Sequence, residues 1–422
     1  MLNKVITISD IRITKQENFL VNTIVFFTFW SLFTGFPIAF NGIFRTALGG
    51  RLGMLLMFVQ FLIYVYSVNN TPRSFSQKNQ KYALAFIGAL LFIWLWQMLS
   101  IAEMDNSLIM PLLSIPFFIL LRDDLKIISL DRFIRIFAVL LALSLIEYFI
   151  YIFTHKGILL YSGLGRAGFD DLLHFDMYNQ YLLNIYYVGR DLPRFQCLCE
   201  EPGCIGTICG FLLYVTKGRK EYKYQYYVFV LAGVFSFSLA FLAMFALHFF
   251  LNSKLSSSAL VVILLLYFLV FYVLMDLFQD MLFYRLEEGF QGADNRIVGD
   301  FRDTYANAWK NGELWMPHGT EKGSFGAGAK MWIWVHGIVS LIVLFFSYYY
   351  IFWKKANALG ATRWSCVIFF VAFWMSFYQR HWITNLDYLI VYLTIPALYA
   401  YNNTNFSKSL VKSKIEGDEK YH

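Results

Sequence analysis

The segment RFQCLCEEPGCIG, residues 194–206, places an arginine and two glutamates directly before an apolar run. Further arginines stand on two long polar stretches of the chain: Arg166, Arg190, Arg285, Arg296 and Arg302. A guanidinium presents a rigid fork of N–H donors that matches phosphate oxygens. A single exposed arginine is often only a solubilising charge. A set gathered on two stretches indicates a site for a diphosphate, the group that holds sugars on polyprenyl carriers at a membrane surface.

Chemistry at such a diphosphate needs two kinds of protein group. Cationic side chains stabilise the departing diphosphate, and a base accepts the proton of the attacking sugar hydroxyl. The candidates for this base are Glu201, Glu200 and His318. A structural interpretation also accounts for the glutamates, because Pro202 suits a first helical turn and negative charge is favourable there. No pair of aspartates has the setting of a divalent-metal site, so we predict no metal and no other cofactor.

The elements that must position these residues are predicted to be membrane helices. The chain is 58% hydrophobic and 15% charged, with a mean hydropathy of +0.53. Apolar runs of roughly 18 residues or more, enough to cross a hydrocarbon core of about 30 Å, recur along the whole chain. The fold class is therefore all-α, a polytopic integral membrane protein with one membrane domain over residues 1–422. The formal charge of +7 is spread over short loops, which indicates topology rather than nucleic-acid binding.

The distribution of basic residues predicts which loops face the cytoplasm. Three short connections are basic, and the positive-inside rule assigns them to the cytoplasm: 69–81, 216–225 and 354–363. This assignment requires the run 226–251 to pass twice, as two short helices that turn around Gly233, Ser236 and Ser238. The alternative is one long tilted helix with a different topology.

With the broken pair, we expect about twelve helical segments. Both termini are then cytoplasmic, including the polar tail 402–422. Two long loops, 154–195 and 278–330, are extracytosolic, and loops of such length in a compact protein tend to be functional.

Several other polar residues have two interpretations each. Glu147 lies inside a predicted span, where a carboxylate faces a partner or a cavity or reaches toward the interface. Arg380 is either an interface anchor or part of the cationic site. Four cysteines cluster at one helix start, where neither a zinc tetrahedron nor a disulfide can form, so we interpret them as packing residues: Cys197, Cys199, Cys204 and Cys209.

Arg194, followed by Glu201-Pro202 and Gly206, resembles a motif of the O-antigen polymerase (Wzy) and O-antigen ligase superfamily. The segment 294–296, Asp-Asn-Arg, resembles the arginine region of the second large loop of that family. The segments 317–319 and 336–337 resemble the exit from that loop.

Three features depart from the family pattern. Gly203 stands where Ser or Asn is usual, and Ser236-Phe-Ser238 lacks the arginine of a Ser-Arg pair. His318 and His336 both compete for the position of the family's histidine.

The resemblance implies a glycosyltransferase of the bacterial cytoplasmic (inner) membrane that takes glycan from undecaprenyl diphosphate without a metal ion. It implies that Arg194 and Arg296 bind the diphosphate and that Glu201 is a structural or catalytic acid. Arg166 and Arg302 join the diphosphate-binding set because they lie on the same two loops.

We therefore expect a polymerase of a surface polysaccharide, such as the O-antigen of lipopolysaccharide, a capsule or an exopolysaccharide. Its substrate is an undecaprenyl-diphosphate-linked oligosaccharide, which it transfers to a sugar hydroxyl of another lipid-linked repeat unit. Membrane lipid and a chain-length regulator are further candidate partners, and nucleic acid is not.

Two alternatives remain. An O-antigen ligase would transfer the glycan to lipid A–core, and a flippase or exporter would move the lipid-linked glycan without chemistry. A transporter should show charges near the bilayer midplane and paired repeats. The predicted spans are nearly free of charge and the arginines lie outside them, which favours an enzyme.

Overall fold

The computed structural model of this chain is a helical bundle with a small antiparallel sheet. It describes residues 11, 13–33, 51–102, 108–165, 177–187, 193–199, 201–252, 299–319, 328–361, 363–380 and 384–401. The α-helices in these ranges are α1 (Lys15–Leu32), α2 (Arg51–Asn70), α3 (Gln80–Ile101), α4 (Ile109–Leu120), α5 (Asp123–Thr154), α6 (Pro202–Thr216), α7 (Lys223–Phe235), α8 (Leu239–Asn252), α9 (Gly299–Lys310), α10 (Ala329–Leu359), α11 (Arg363–Gln379) and α12 (Leu386–Tyr401). The strands are β1 (Leu159–Gly165), β2 (Met177–Tyr181) and β3 (Ile185–Tyr187).

Three of the described helices are long and apolar enough to cross a membrane: α5, α10, and α3 together with the short turn before it, over Gln77–Ile101. Shorter apolar helices accompany them, among them α6, α8, α11 and α12. These helices agree with the predicted all-α membrane protein in type and length. The number of spans stays a prediction, and the apolar run 258–277 lies outside the described residues.

Local signals explain where several helices begin and end. The Thr14 hydroxyl and the Glu17 carboxylate form a reciprocal capping box at the start of α1, which satisfies N–H groups that lack helical partners. The last helical turn of α10 ends at Gly360 with a φ of 67°, a conformation that glycine adopts without cost. Helix α5 begins at Asp123, earlier than the apolar run that starts near residue 133, because its charged first turns find partners in the bundle.

Helices α6 and α12 form the centre of the bundle. Helix α6 is buried from Gly203 to Thr216, and α12 is buried along its length apart from Tyr399. The neighbours of α12 are α1, α4, α5, α6, α10 and α11. A helix that is apolar on all sides requires such an enclosure. Because lipid is as apolar as these side chains, close packing and hydrogen bonds must hold the helices together.

The run 226–251 is a helical hairpin, as its surrounding charges predicted. Helix α7 ends at Phe235 and α8 begins at Leu239. The Tyr226 ring near the start of α7 lies 6.5 Å from the His248 ring near the end of α8, so the two helices run antiparallel. Each is about 20 Å long at 1.5 Å per residue. Both pack along α6, so the run forms the expected two short helices in place of one long helix.

The basic connections meet at one end of the bundle, which we call the basic face. Arg122, before α5, pairs with Glu17 at the start of α1 at 3.0 Å. Asn79 donates to the Leu121 carbonyl at 2.8 Å, which joins the loop before α3 to the end of α4. Arg219 donates to the Leu398 carbonyl near the end of α12 at 3.1 Å. The start of α1 and the end of α12 therefore lie on the same face.

The opposite end, which we call the loop face, carries the sheet in the order β1-β2-β3. The sequence predicted a long loop over residues 154–195 and no strands. Glu147 of α5 accepts hydrogen bonds from the N–H groups of Leu182 and Leu183 at 3.0 and 2.8 Å, and from the Asn184 amide at 2.8 Å. Its carboxylate thus fixes the β2–β3 turn. The N–H groups of this turn are the hydrogen-bond partners that a carboxylate inside a span requires.

A glycine interrupts α10 near the loop face. Gly337 has φ 81° and ψ 158°, which are not helical values. The interruption leaves nearby carbonyls available: the His318 N–H donates to Trp334 at 2.9 Å and the Gln97 amide donates to Val335 at 3.1 Å. A Cβ on Gly337 would lie 2.7 Å from the Trp315 carbonyl oxygen, so only glycine fits.

Replacing Gly337 by alanine should destabilise the protein by about 1–3 kcal/mol, because L-residues rarely adopt this backbone conformation. Gly88→Ala in α3 is the matched control, since a Cβ there meets nothing within 4 Å. That control should be neutral or stabilising by about 0.5–1 kcal/mol. Melting temperatures of the two variants in the same detergent test the difference, and equal values would contradict the account.

Candidate functional site

Arg194 closes the tip of the α7–α8 hairpin. Its Nε donates to the Ser236 carbonyl at 3.0 Å and its Nη2 to the Phe237 carbonyl at 2.9 Å. The neighbouring Phe195 N–H donates to the Phe235 carbonyl at 2.9 Å. These carbonyls follow the end of α7, where no further helical turn supplies donors. Arg194, which the sequence suggested as a diphosphate ligand, therefore lies at a helix break and stabilises the geometry of that break.

Glu201 stands directly before α6, with φ −144° and ψ 148° at the N-cap position. Its Oε2 accepts a hydrogen bond from Arg380 Nη2 at 2.7 Å. The Arg380 side chain is 4% exposed and that of Glu201 is 23% exposed. A buried guanidinium requires such a partner. The carboxylate therefore faces both the positive end of the α6 dipole and a buried cation.

Gly203 makes room for this ion pair. A Cβ on Gly203 would overlap the guanidinium of Arg380, with Nη2 as the nearest atom. A Ser or Asn side chain at this position would displace Arg380, so the ion pair requires glycine here.

The first turns of α6 bring the two arginines to one place. A Cβ on Gly206 would overlap Ser238, while Ser236 supplies a carbonyl to Arg194. Gly203, one turn earlier, contacts Arg380. We call this group the polar junction, and it comprises Arg194, Glu201, Ser236, Ser238 and Arg380.

The polar junction carries an excess of positive charge. Arg380 pairs with the Glu201 carboxylate before α6, and Arg194 adds a second guanidinium group at the neighbouring hairpin tip. The N-terminus of α6 contributes a further partial positive charge. An anion is the ligand that such a group favours. The sequence suggested Arg380 only as one of two alternatives. The signal for a role in the site was the pair Arg380-His381, on a short link between two apolar runs.

The other predicted site residues divide into two groups. The structure describes only the backbone of Arg302, which lies on α9. His318 stacks on the Trp334 ring at a centroid distance of 4.2 Å, and its described contacts do not reach the polar junction. Three predicted residues lie outside the described residues: Glu200, Arg166 and Arg296.

His336, the rival to His318, is buried beside the junction-facing end of α11. Its ring lies 4.4 Å from the Trp332 ring, and Trp332 contacts Phe377 at 6.0 Å. Phe377 precedes Arg380 by one helical turn. Ring contacts through Trp332 and Phe377 therefore connect His336 to the end of α11.

A buried acid that the sequence analysis missed lies in the first turn of α12. Asp387 is 2% exposed, and its Oδ1 accepts a hydrogen bond from the Ser31 hydroxyl at 2.7 Å. This contact joins the end of α1 to the start of α12 near the loop face. Asp387 sits within an otherwise apolar run, where only the structure reveals its partner.

The clustered cysteines are buried free thiols, as predicted. Burial raises the pKa of the Cys197 thiol to about 11 and raises the pKa of Cys199 well above its usual range. These thiols are therefore neutral at pH 7 and weak nucleophiles. Within the described ranges, no group of three His, Cys, Asp or Glu side chains is placed to hold a metal ion.

Replacing Glu201 by alanine should lower the free energy of unfolding by about 3 kcal/mol, because Arg380 would stay buried without its carboxylate. Arg380→Ala alone should cost less, since Glu201 is partly exposed. The double variant should lose less than the sum of the two, with a coupling of about 1–3 kcal/mol. Unfolding in mixed micelles measures each value.

Arg135→Ala provides the matched control, because Arg135 forms a more exposed pair with Asp131, with its own side chain 46% exposed. Its effect should be about 0.5 kcal/mol or less. Additive effects of Glu201→Ala and Arg380→Ala would show that the ion pair does not stabilise the junction.

The chain was compared with models of protein families, with curated proteins and with solved structures. None of the three comparisons gives a match. The polar junction must therefore be interpreted from its own geometry and chemistry.

Proposed function

We propose that this chain is a glycosyltransferase of the bacterial cytoplasmic membrane that polymerises a surface polysaccharide. Its donor is a glycan linked to undecaprenyl diphosphate, and its acceptor is a sugar hydroxyl of another lipid-linked repeat unit. In this proposal the basic face is cytoplasmic, both termini lie there, and the loop face is extracytosolic. The proposal extends the resemblance of residues 194–206 to the Wzy and ligase superfamily.

The observation that carries the proposal is the polar junction. Arg380 pairs with Glu201 at the start of a buried helix, and Arg194 adds a second positive charge at the hairpin tip that packs against this helix. A diphosphate is an anion that this arrangement favours, and guanidinium groups stabilise the charge that develops on it. The Arg194 guanidinium keeps its positive charge at the polar junction while its N–H groups donate to the carbonyls of the hairpin tip.

The proposed reaction forms one bond and breaks another. The acceptor hydroxyl oxygen attacks C1 of the donor sugar, and the bond between C1 and the diphosphate oxygen breaks. The electron pair leaves with the diphosphate, which the arginines stabilise. Glu201 accepts the hydroxyl proton, as the base candidate that pairs with Arg380 at the polar junction. Much of the rate would come from holding two lipid-tethered reactants together.

Aromatic residues on the loop face fit a glycan ligand. Trp309 and Trp315 are 61% and 51% exposed, and exposed indole rings offer flat apolar faces to sugar rings. Trp332, by contrast, is 3% exposed and packs inside the bundle.

Reconstitution tests the reaction. The purified protein in lipid vesicles, given only its undecaprenyl-diphosphate-linked repeat unit, should produce a ladder of chain lengths on a gel. Glu201→Gln should slow the ladder by roughly 100-fold or more, because an amide cannot take the proton. The amide oxygen can still accept the Arg380 hydrogen bond, so folding is retained. Arg135→Ala should leave the rate unchanged.

A ladder at the normal rate from Glu201→Gln would overturn the role of Glu201. If the normal chain makes no ladder but transfers the glycan to lipid A–core, the protein is a ligase. If neither acceptor is extended and the donor lipid stays intact, the transporter alternative replaces the enzyme.

The orientation has a separate test by thiol labelling. The native cysteines that the structure describes are buried, so single introduced cysteines report their own exposure. Asn311→Cys on the loop face should react with a membrane-impermeant maleimide in intact spheroplasts, and Gln77→Cys on the basic face should react only after permeabilisation. The reverse pattern would contradict the proposed orientation.

A further inference from the structure

A cavity of about 730 Å³ lies on the basic face, between the start of α3, the start of α5 and the end of α10. Its lining combines charged, aromatic and aliphatic side chains, among them Lys78, Lys81, Tyr82, Leu84, Asp123 and Lys355. It lies at the opposite end of the bundle from the polar junction. The proposed transfer reaction gives it no role.

The floor of this cavity contains a buried ion pair. The Asp123 carboxylate and Lys355 both line the cavity and pair with each other. Lys126 lies behind this pair, 3.7 Å from Asp123, and donates to the Ile119 carbonyl. The nearby acids Glu17 and Asp124 are engaged with Arg122, so Asp123 is the acid that lines the cavity.

Two exposed lysines give the rim of the cavity its positive charge. Lys78 and Lys81 line the cavity and extend into solvent. The Lys81 ammonium lies 5.1 Å from the centroid of the Tyr82 ring, a contact that holds its charge over the opening. An anionic group of modest size would therefore be attracted into the cavity, and cationic groups would be repelled.

One wall of the cavity continues into an apolar groove along α3. Leu84 lines the cavity and is 59% exposed, and further along the helix Leu91 and Leu95 are 39% and 57% exposed. Helical spacing puts these leucines on one side of α3. Gly88 lies between Leu84 and Leu91, and a Cβ there would meet nothing within 4 Å. The missing side chain leaves a groove that an acyl chain can occupy.

We propose that this cavity binds the phosphate headgroup of an anionic phospholipid, with an acyl chain along Leu84, Gly88 and Leu91. The lysines recognise the phosphate, and the groove selects a lipid over a soluble phosphate. A zwitterionic choline lipid is disfavoured because its ammonium would face the lysines. Basic pockets at helix ends are suited to such headgroups. The proposal is independent of the transfer reaction.

Native mass spectrometry of the full chain in detergent tests the site. Phosphatidylglycerol should bind with an apparent Kd well below that of phosphatidylcholine. The double variant Lys78→Gln/Lys81→Gln should bind phosphatidylglycerol roughly tenfold or more weakly, because each lysine near the headgroup contributes to the attraction. The control Lys220→Gln/Lys223→Gln removes the same charge from another exposed loop of the basic face, and its affinity should stay unchanged.

Two further measurements separate the headgroup from the chain. Gly88→Leu should fill the groove and weaken phosphatidylglycerol binding while leaving the lysines in place. Glycerol 3-phosphate, which lacks acyl chains, should bind much more weakly than the lipid. Equal affinity of the two lysine double variants would overturn the site. Glycerol 3-phosphate that binds as tightly as the lipid would show a soluble phosphate site instead.

Discussion

A helix that ends inside a membrane protein leaves its last carbonyl groups without donors, and lipid cannot supply them. The α7–α8 hairpin creates this situation at residues 236 and 237, where Arg194 donates to both carbonyls. Without those hydrogen bonds the two short helices would lack a stable turn. The position of α6, which packs against both, depends on the same contact. One arginine thus connects the loop after β3 to the centre of the bundle and leaves its charge at the polar junction.

Glycine positions determine how closely polar groups approach this centre. Gly203 admits the guanidinium of Arg380, and Gly206 admits Ser238 of the hairpin tip. Gly337 bends α10, so that loop residues bind carbonyls that a straight helix would use internally. These helix interruptions therefore lie at the same end of the bundle as the buried Arg380 and Asp387. Such interruptions are tolerated where protein encloses them or where they line a polar cavity.

Hydropathy predicted the helical bundle, because burial of apolar surface determines where its helices lie. The charges of the flanking loops predicted the hairpin over 226–251, since a single crossing would have put a basic loop outside. The early start of α5 was missed because Asp123 and Lys126 find partners only in three dimensions. The pairing of Arg380 with Glu201 and the β-sheet on Glu147 were missed for the same reason. Residue type and spacing singled out Arg194 and Glu201, which lie at the polar junction. Their roles stay predictions, as do those of Glu200, Arg166 and Arg296.

The central claim is that the polar junction binds the diphosphate of the lipid-linked donor. A photoreactive analogue of undecaprenyl diphosphate, cross-linked to the protein in vesicles and mapped by peptide mass spectrometry, tests this most directly. The account predicts cross-links in the peptides that contain residues 193–203 and 236–239, with competition by unlabelled undecaprenyl diphosphate. Competed cross-links confined to peptides of the basic face, or cross-links that the unlabelled lipid does not displace, would contradict it.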